Sequence, residues 1–295
     1  MKYLGFRAAQ WLSTRLPQTR AFALAEQLAD VQWKRSTKNH LAVQTNLSAI
    51  LGRHVPWQST IAREVFRNFG RYLVEFFNLH RVQHPQVELH GHKHLLTARR
   101  NGRGAIILTA HLGNWEAGAV LLHRLRFPVT AVARPHQDPR LNRFFTEQRH
   151  RCGVTSIPLG HAAVAQCLAS LRTGELVGML GDLDFLGNGV RASCCGMSLL
   201  LPRGPATISL RAQVPIVPTF LTRIAPWRFL LSFEPPIWPE SHSTPRSSVE
   251  LMTRAYAAVL ERYIRQFPDQ WLVFQPILST TRRDVGDSSN LWSMG

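Results

Sequence analysis

The stretch Ile106-Ile107-Leu108-Thr109-Ala110-His111-Leu112-Gly113-Asn114-Trp115-Glu116 decides how this chain is organised. Ala105–Ala110 is a short apolar run bounded upstream by glycines, which is typical of a buried strand. Asn114 is a good helix N-cap, and the apolar residues after it recur at helical spacing. The stretch therefore predicts His111 at the carboxyl end of a strand, where open α/β sheets bind ligands. It also predicts Glu116 in the first turn of a helix, where the helix dipole favours a carboxylate.

The spacing of His111 and Glu116 has two interpretations. A neutral imidazole beside a carboxylate can act as a general base. Alternatively, the histidine simply caps the end of a strand beside a glutamate that starts a helix. A chain with 13 histidines and 18 acidic residues has about one such spacing by chance, so the spacing alone is not specific.

Helical spacing dominates the first 80 residues, and an alternation of strands and helices follows. The predicted N-terminal helices are 2–16, Ala21–Trp33, Lys38–Leu51 and Ser59–Asn78. The predicted strands are Val87–His90, Ala105–Ala110, Val129–Ala133, Ser156–Ile157, Leu176–Leu180, Ile216–Arg223 and Arg228–Phe233. Between and after them lie predicted helices at Lys93–Arg100, Trp115–Leu125, Pro139–Arg151, Ala162–Arg172, Pro205–Arg211 and Val249–Gln266, and a Pro-rich loop at Glu234–Pro245.

The alternation predicts an α/β fold with a central, mostly parallel sheet flanked by helices on both faces. We expect three segments along the chain. Residues 1–80 form a helical N-terminal segment that packs on the core and associates with a membrane. Residues 81–280 form the α/β core, and residues 281–295 form a polar tail.

The chain is strongly basic, with a formal net charge of +17 and a sequence pI near 11.2. Such a charge favours an anionic partner, and the excess of arginine over lysine suits phosphate contacts. The basic residues are dispersed and no nucleic-acid-binding motif is evident, so we expect an anionic membrane surface as the partner and no nucleic acid. The four cysteines lack the spacing of a metal site or a secreted disulfide framework, which indicates a reducing compartment.

Residues 2–16 have the pattern of an amphipathic helix. Leu4, Ala8, Trp11, Leu12 and Leu16 fall on one side, with basic residues nearby and Phe6 off the stripe. No run of 18 apolar residues predicts a transmembrane helix, and the N-terminus lacks the pattern of a signal peptide. The pattern predicts peripheral membrane binding, although a helix that packs its apolar stripe on the protein's own core has the same spacing.

Several ordered blocks of the chain, from about Trp33 to Gln275, resemble the lysophospholipid acyltransferase superfamily. The His-x4-Glu box is the first. The branch that the chain resembles contains the late lipid A acyltransferases and the phosphatidylinositol mannoside acyltransferases. The later similar blocks are Val132–Pro135, Pro139–Asn142 with Arg149, Leu171–Asp184, Pro202–Ala206 and Phe267–Trp271.

The chain departs from the family pattern at three places. Cys194-Cys195-Gly196 stands where the family usually has Phe-Phe-Gly, and Leu183 separates the two aspartates where Gln or Arg is common. The segment Leu272–Gln275 replaces the basic residues that follow the last block in lipid A enzymes. These departures leave the reaction type in place and the acceptor open, with a lipid A-type acceptor first and a phosphatidylinositol mannoside-type acceptor as the alternative.

The resemblance implies an acyltransferase that moves a fatty acyl chain from an acyl thioester to a hydroxyl of a glycolipid. The donor is an acyl-carrier protein or CoA thioester, used as a co-substrate, and no cofactor or metal is expected. His111 is the expected general base, and Glu116 is expected to hold its imidazole. No Gly-x-Ser-x-Gly nucleophile motif is present, which favours direct transfer. The expected substrate-binding residues are Arg134, Arg149, Asp182, Asp184 and Arg203.

Two further expectations concern the substrates. Phe185, Trp115, Phe144, Phe145 and Leu199–Leu201 are candidates for an apolar slot that holds the acyl chain, although such residues are more often plain core. The resemblance and the N-terminal pattern together place the enzyme at the cytoplasmic face of a bacterial inner (plasma) membrane. The competing functions are a non-catalytic basic protein that coats membranes or nucleic acid, and an esterase or thioesterase that uses water as the acceptor.

Overall fold

The computed structural model describes residues 2–81, 86–240 and 244–277. A seven-stranded sheet with the order β1-β9-β8-β2-β5-β3-β4 forms its centre. The strands of this sheet are β1 (Gln86–His90), β2 (Ala105–Thr109), β3 (Val129–Ala133), β4 (Val154–Pro158), β5 (Leu176–Leu180), β8 (Ile216–Ala225) and β9 (Arg228–Phe233). A separate hairpin contains β6 (Val190–Cys194) and β7 (Met197–Leu201).

Neighbouring strands of the large sheet are parallel, except β8 and β9, which form an antiparallel pair. Helices cover both faces of the sheet, so the expected α/β class with a mostly parallel sheet is confirmed. The helices are α1 (Lys2–Arg15), α2 (Gln18–Arg35), α3 (Thr37–Leu51), α4 (Thr60–Phe77), α5 (His92–Ala98), α6 (Trp115–Arg124), α7 (Pro139–Arg151), α8 (Ala163–Arg172), α9 (Gly204–Ala212) and α10 (Pro245–Gln266).

Strand β2 is buried on both faces because it lies near the middle of the sheet. Ile107 packs into the core under α6 and α7, whereas Ile106 and Leu108 pack into the core under α8, α9 and α10. Since successive side chains of a strand point to opposite faces, a strand covered on both sides needs the continuous apolar run that the sequence contains.

The register of β2 and β5 determines where the site forms. These strands are parallel neighbours, and Thr109 lies opposite Leu180. Two residues beyond this pair, the chains reach His111 and Asp182 at the same edge of the sheet. Residues far apart in sequence thus meet because the carboxyl ends of parallel strands share an edge.

The N-terminal helices pack on the α/β core. Asn46 of α3 donates hydrogen bonds to the carbonyl oxygens of Val273 and Gln275, and Asn68 of α4 donates to Asp269. These helices therefore hold the segment that follows α10. None of the described helices is both long enough and apolar enough to span a bilayer. The division into segments at residues 80 and 280 stays a prediction, and 281–295 lies outside the described residues.

Two sequence predictions about local structure were wrong. The hairpin β6–β7 was missed because its two-residue turn contains Cys195 and Gly196, both at positive φ, and only the glycine is a usual turn signal. Helix α10 begins at Pro245 and not at Val249, because Thr244 and Ser247 form a capping box.

Candidate active site

His111 lies just beyond β2, and Asp182 holds it in place. The imidazole Nδ1 is 3.0 Å from Asp182 Oδ1, and the backbone N–H of His111 donates to Asp182 Oδ2 at 2.9 Å. Both side chains are buried. One carboxylate thus contacts both the ring and the backbone of His111, and this double contact restrains the orientation of the imidazole.

The segment after α10 completes the support. Trp271 Nε1 donates to Asp182 Oδ2 at 2.8 Å, and the backbone N–H of Leu272 donates to the carbonyl of His111 at 2.7 Å. Gly113 has a φ of +63°, and a Cβ there would lie 2.0 Å from the carbonyl oxygen of Leu221. A glycine is therefore required in this turn, since any side chain would push the loop off β8.

The chemistry of Asp182 determines which ring nitrogen of His111 is free. Burial raises the pKa of this carboxyl, but the charge of His111 and hydrogen bonds from His111 and Trp271 outweigh it, so the pKa is lowered overall. An ionised carboxylate can only accept hydrogen bonds, so Nδ1 carries the proton. In the neutral imidazole Nε2 then has the lone pair, and within the described residues it has no hydrogen-bond partner.

Glu116 does not make the contact that the sequence predicted. Its carboxylate accepts hydrogen bonds from Arg149, at 2.8 Å from Nε and 2.6 Å from Nη2. Both side chains are largely buried, and Glu116 raises the pKa of Arg149 against the opposing effect of burial. The first turn of α6 directs Glu116 toward α7, where a buried guanidinium requires a counter-charge. Asp182 is therefore the hydrogen-bond partner of the imidazole, and Glu116 is the ion-pair partner of Arg149.

A second buried network fixes the start of α6. Asn114 caps the helix, as predicted, by accepting a hydrogen bond from the N–H of Ala117. Its amide donates to Glu75 of α4, whose carboxylate also accepts from Arg223 Nε at 2.6 Å and Nη2 at 2.7 Å. The His-x4-Glu box is thus anchored to the N-terminal helices through a fully buried glutamate.

His111 opens into a cavity of about 680 Å³, a volume within the range of about 300–1,000 Å³ for ligand sites. One part of the cavity lies between the sheet and α6, and its walls are apolar. Small residues leave this space open, since Ala131 and Gly178 are register neighbours on the sheet and Gly118 of α6 also lines the cavity. We call this part the apolar arm. Its other lining residues include Ile107, Ala119, Leu122, Leu221 and Leu231.

We call the charged residues of the remaining lining the charged rim. It contains Arg134, Arg149, Arg203, Glu116 and Asp184, so six of the seven predicted site residues line the cavity when His111 is included. Asp182, the seventh, lies behind the imidazole. The cavity is therefore continuous from the charged rim to the apolar arm, and His111 lines it.

Arg134 and Asp184 have defined positions at the rim. The Arg134 guanidinium lies 4.8 Å from the ring centroid of Phe185, and that ring meets the imidazole of His111 edge-on at 6.4 Å. Burial lowers the pKa of Arg134. Asp184 accepts hydrogen bonds from the backbone N–H groups of Leu186 and Gly189, so it shapes the loop that carries Phe185.

Sequence reasoning missed several contributors. Trp271 was within a recognised block but had no assigned role, and Glu75 gave no local signal at all. The apolar arm is built largely from residues that were not proposed for it. Of the candidates for the acyl slot, Phe185 and Trp115 line the cavity, whereas Phe144, Phe145 and Leu199–Leu201 do not. Within the described part of the chain, no three His, Cys, Asp or Glu residues converge as metal ligands.

Comparison with known proteins identifies the family of the chain. The model of the family described as bacterial lipid A biosynthesis acyltransferase matches residues 2–280. The chain belongs to this family. It is 26% identical over 244 residues, 79% of this chain and 78% of the relative, to a phosphatidylinositol mannoside acyltransferase from Mycolicibacterium smegmatis. It is 23% identical over 210 residues, 68% of this chain and 61% of the relative, to a lipid A biosynthesis acyltransferase from Haemophilus influenzae.

Among solved structures, the chain is similar to the 1-acyl-sn-glycerophosphate acyltransferase PlsC from Thermotoga maritima. The identity is 13%, with a TM-score of 0.37 over 81% of this chain and 98% of that one. As a member of the lipid A biosynthesis acyltransferase family, the protein is an enzyme that transfers acyl groups to a glycolipid.

Proposed function

We propose that this acyltransferase moves a fatty acyl chain from a thioester, carried by acyl-carrier protein or CoA, to a hydroxyl of its glycolipid acceptor. One observation carries the proposal. The imidazole of His111 is oriented by Asp182, and its Nε2 lies beside a cavity that joins the charged rim to the apolar arm.

His111 is the general base of the proposed reaction. Nε2 takes the proton of the acceptor hydroxyl as its oxygen attacks the thioester carbonyl, and Asp182 stabilises the imidazolium that forms. When the tetrahedral intermediate collapses, the C–S bond breaks and the imidazolium returns the proton to the leaving thiolate. The acceptor gains an ester, the donor leaves as a thiol, and the enzyme regains its starting protonation state.

The buried ion pair of Glu116 and Arg149 also contributes to the site. Glu116 neutralises Arg149 and orients its guanidinium at the cavity wall, and Arg149 Nη1 takes no part in the pair. We infer that Arg134, together with Nη1 of Arg149, binds a phosphate of the acceptor or the developing oxyanion. Glu116 holds the largely buried side chain of Arg149 in place, and such a preorganised donor is suited to that task.

The apolar arm is suited to the acyl chain. Its walls come from strand residues and from the small residues at the start of α6, and it begins beside the catalytic imidazole. Burial of each methylene group contributes about 0.8 kcal/mol. Binding of a long chain in this arm therefore supplies enough free energy to hold the thioester in place.

The acceptor is proposed as a lipid A-type precursor, in agreement with the family model. A phosphatidylinositol mannoside-type acceptor is the second candidate, favoured by the 26% identity to the mycobacterial relative named for that substrate. Both acceptors are glycolipids that carry hydroxyls and phosphates, so both suit a cationic rim.

We propose that the protein binds peripherally to an anionic membrane, at the cytoplasmic face of the bacterial inner membrane. In α1, Leu4 and Trp11 of the predicted stripe are 67% and 57% exposed, whereas Phe6, off the stripe, packs on Phe145 of α7. The stripe is thus available to a bilayer. Because Leu141 of α7 lines the cavity, a membrane that binds α1 lies next to the site.

Lipid analysis tests the proposed function. The lipids of a host with the gene, without it, and with a His111→Ala copy are extracted and compared by mass spectrometry. We expect one glycolipid to lose one acyl chain in the deletion and in the His111→Ala strain, while the gene restores it. An unchanged lipid profile, or full restoration by His111→Ala, would contradict the proposal.

A further inference from the structure

Helix α9 presents a row of residues to the cavity that neither the catalytic chemistry nor the apolar arm uses. Arg203, Thr207 and Arg211 all line the cavity, and they are four and eight residues apart. Since an α-helix rises 1.5 Å per residue, the row runs along one face of α9 for about 12 Å. We call these three residues the α9 strip.

The two arginines of the strip are not neutralised by the protein. Both side chains are exposed, and neither guanidinium has a hydrogen-bond or ion-pair partner within the described residues. By contrast, the acidic residues of the cavity wall are all engaged: Glu116 by Arg149, Asp138 by Arg140, and Asp184 by backbone N–H groups. The strip therefore keeps its positive charge in the cavity lining.

We propose that the α9 strip binds the phosphates at the distal end of the donor's pantetheine arm. This inference rests on the proposed function, since it concerns the thioester donor of that reaction. A pantetheine thioester has its acyl chain at one end and phosphate at the other. With the chain in the apolar arm and the carbonyl beside His111, the phosphate end lies against the part of the cavity lining that Arg203 and Arg211 form.

The spacing of the strip suits more than one anionic group. Coenzyme A carries a diphosphate and a ribose phosphate, and a carrier protein carries a phosphodiester on an acidic surface. Arginine binds such oxygens with two donors in a fixed geometry, and the Thr207 hydroxyl lies between the two arginines. The chemistry shared by both donors is a phosphopantetheine phosphate, and Arg203 and Arg211 are its proposed contacts.

The test uses the full chain with Arg203→Gln, Arg211→Gln and the double variant. Arg172→Gln serves as a matched control, because Arg172 is an exposed arginine of α8 outside the cavity lining. The KM values for palmitoyl-CoA, for palmitoyl acyl-carrier protein and for the acceptor are measured at low and high salt. We expect each strip variant to raise the KM of the physiological donor about 10-fold, with the acceptor KM unchanged and the effect reduced by salt.

The KM measurements with the two donors identify the source of the phosphate. The donor with the lower KM in the wild type is the physiological one, and its KM is the one that the strip variants raise. An unchanged donor KM in the double variant overturns the proposal. An increase confined to the acceptor KM also overturns it and assigns the strip to the acceptor.

Direct binding separates this proposal from the proposed function. Calorimetry with a non-hydrolysable thioether analogue of palmitoyl-CoA, and with holo acyl-carrier protein, requires no acyl transfer. Weaker binding of either probe by the double variant supports the strip even if transfer is never observed. Equal binding by the wild type and the double variant, in an enzyme that does transfer acyl chains, overturns the strip alone.

Discussion

Two buried side-chain pairs, Glu75 with Arg223 and His111 with Asp182, differ in what they leave free. Glu75 and Arg223 are 0% and 6% exposed, and the glutamate carboxylate accepts from Arg223 and from Asn114. His111 and Asp182 are also buried, but Nε2 of the imidazole has no partner among the described residues and the ring lines the cavity. The first pair serves stability through complete satisfaction, and the second serves chemistry through one atom left open.

The largest expected effect is on catalysis, from His111→Ala. Loss of the base removes about 10²- to 10⁴-fold in kcat, while the fold persists because the backbone N–H of residue 111 still donates to Asp182. Initial-rate kinetics and a thermal unfolding curve measure the two effects, with the exposed His92→Ala as the control. Activity of His111→Ala within a few-fold of wild type would show that the free nitrogen is not the base.

Asp182→Asn tests which ring nitrogen of His111 carries the proton. The carboxylate accepts from three donors, and an amide cannot, so its NH2 group turns toward Nδ1 and favours the tautomer with the proton on Nε2. We expect kcat to fall about 10²- to 10⁴-fold. Trp271→Phe removes one donor but keeps the carboxylate, so about a 10-fold loss is expected. A milder effect for Asp182→Asn than for Trp271→Phe would refute this assignment.

Glu75→Gln tests the contribution of the Glu75–Arg223 pair to stability. An amide cannot neutralise Arg223, and an unpaired buried charge costs about 3–5 kcal/mol in the free energy of unfolding. Chemical denaturation measures the loss. Glu88→Gln is the matched control, because Glu88 pairs with Arg228 at the exposed surface and such pairs contribute about 1 kcal/mol or less. A loss equal to that of the control would mean that burial of the Glu75 pair has no energetic consequence.

Gly178→Leu tests the apolar arm as the binding site of the acyl chain. A Cβ at Gly178 would lie 3.9 Å from the nearest atoms, so a larger side chain enters the apolar arm without a backbone clash. We expect the preferred acyl chain to shorten, as measured by kcat/KM over a series of donors. Gly160→Ala, also in open space but outside the cavity lining, should leave the preference unchanged. An unaltered chain-length profile in Gly178→Leu would place the acyl chain elsewhere.

The smallest effect concerns pH. Burial, with a contribution from Arg149, lowers the pKa of His136 to about 4. Between pH 6.5 and 4 the unfolded chain binds a proton that the folded protein does not, so stability falls as pH falls through this window. After allowance for solvent screening we expect a loss of about 1–2 kcal/mol. His136→Gln should reduce the slope of unfolding free energy against pH, and an identical slope in the variant would contradict this.

Much of the fold followed from sequence patterns, and the exceptions have physical reasons. β3, α7, β5 and β9 begin and end where the periodicity predicts, because each is a regular element with a plain apolar pattern. The β6–β7 hairpin was missed since Cys195 adopts a positive φ that sequence rules assign to Gly or Asn. Its left-handed conformation is held by the surrounding core, which no local pattern records.

The candidate site was predicted in its members but not in its pairing. His111 and Glu116 were singled out by spacing, yet the five-residue connection between β2 and α6 sends the glutamate toward Arg149. Asp182 was expected among the substrate-binding residues, without a named partner. Asp182 is 71 positions from His111 in the sequence. The register of β5 against β2 brings its carboxylate to the imidazole.

Local periodicity, capping residues and ordered motifs are short-range information, and they sufficed for the α/β class, the position of the histidine at a strand end and the family resemblance. The partner of the imidazole, the buried glutamate beneath the helix cap and the apolar arm depend on contacts between distant segments. Sequence spacing does not encode such contacts, because the facing of a side chain is set by which strands pair and which helices cover them.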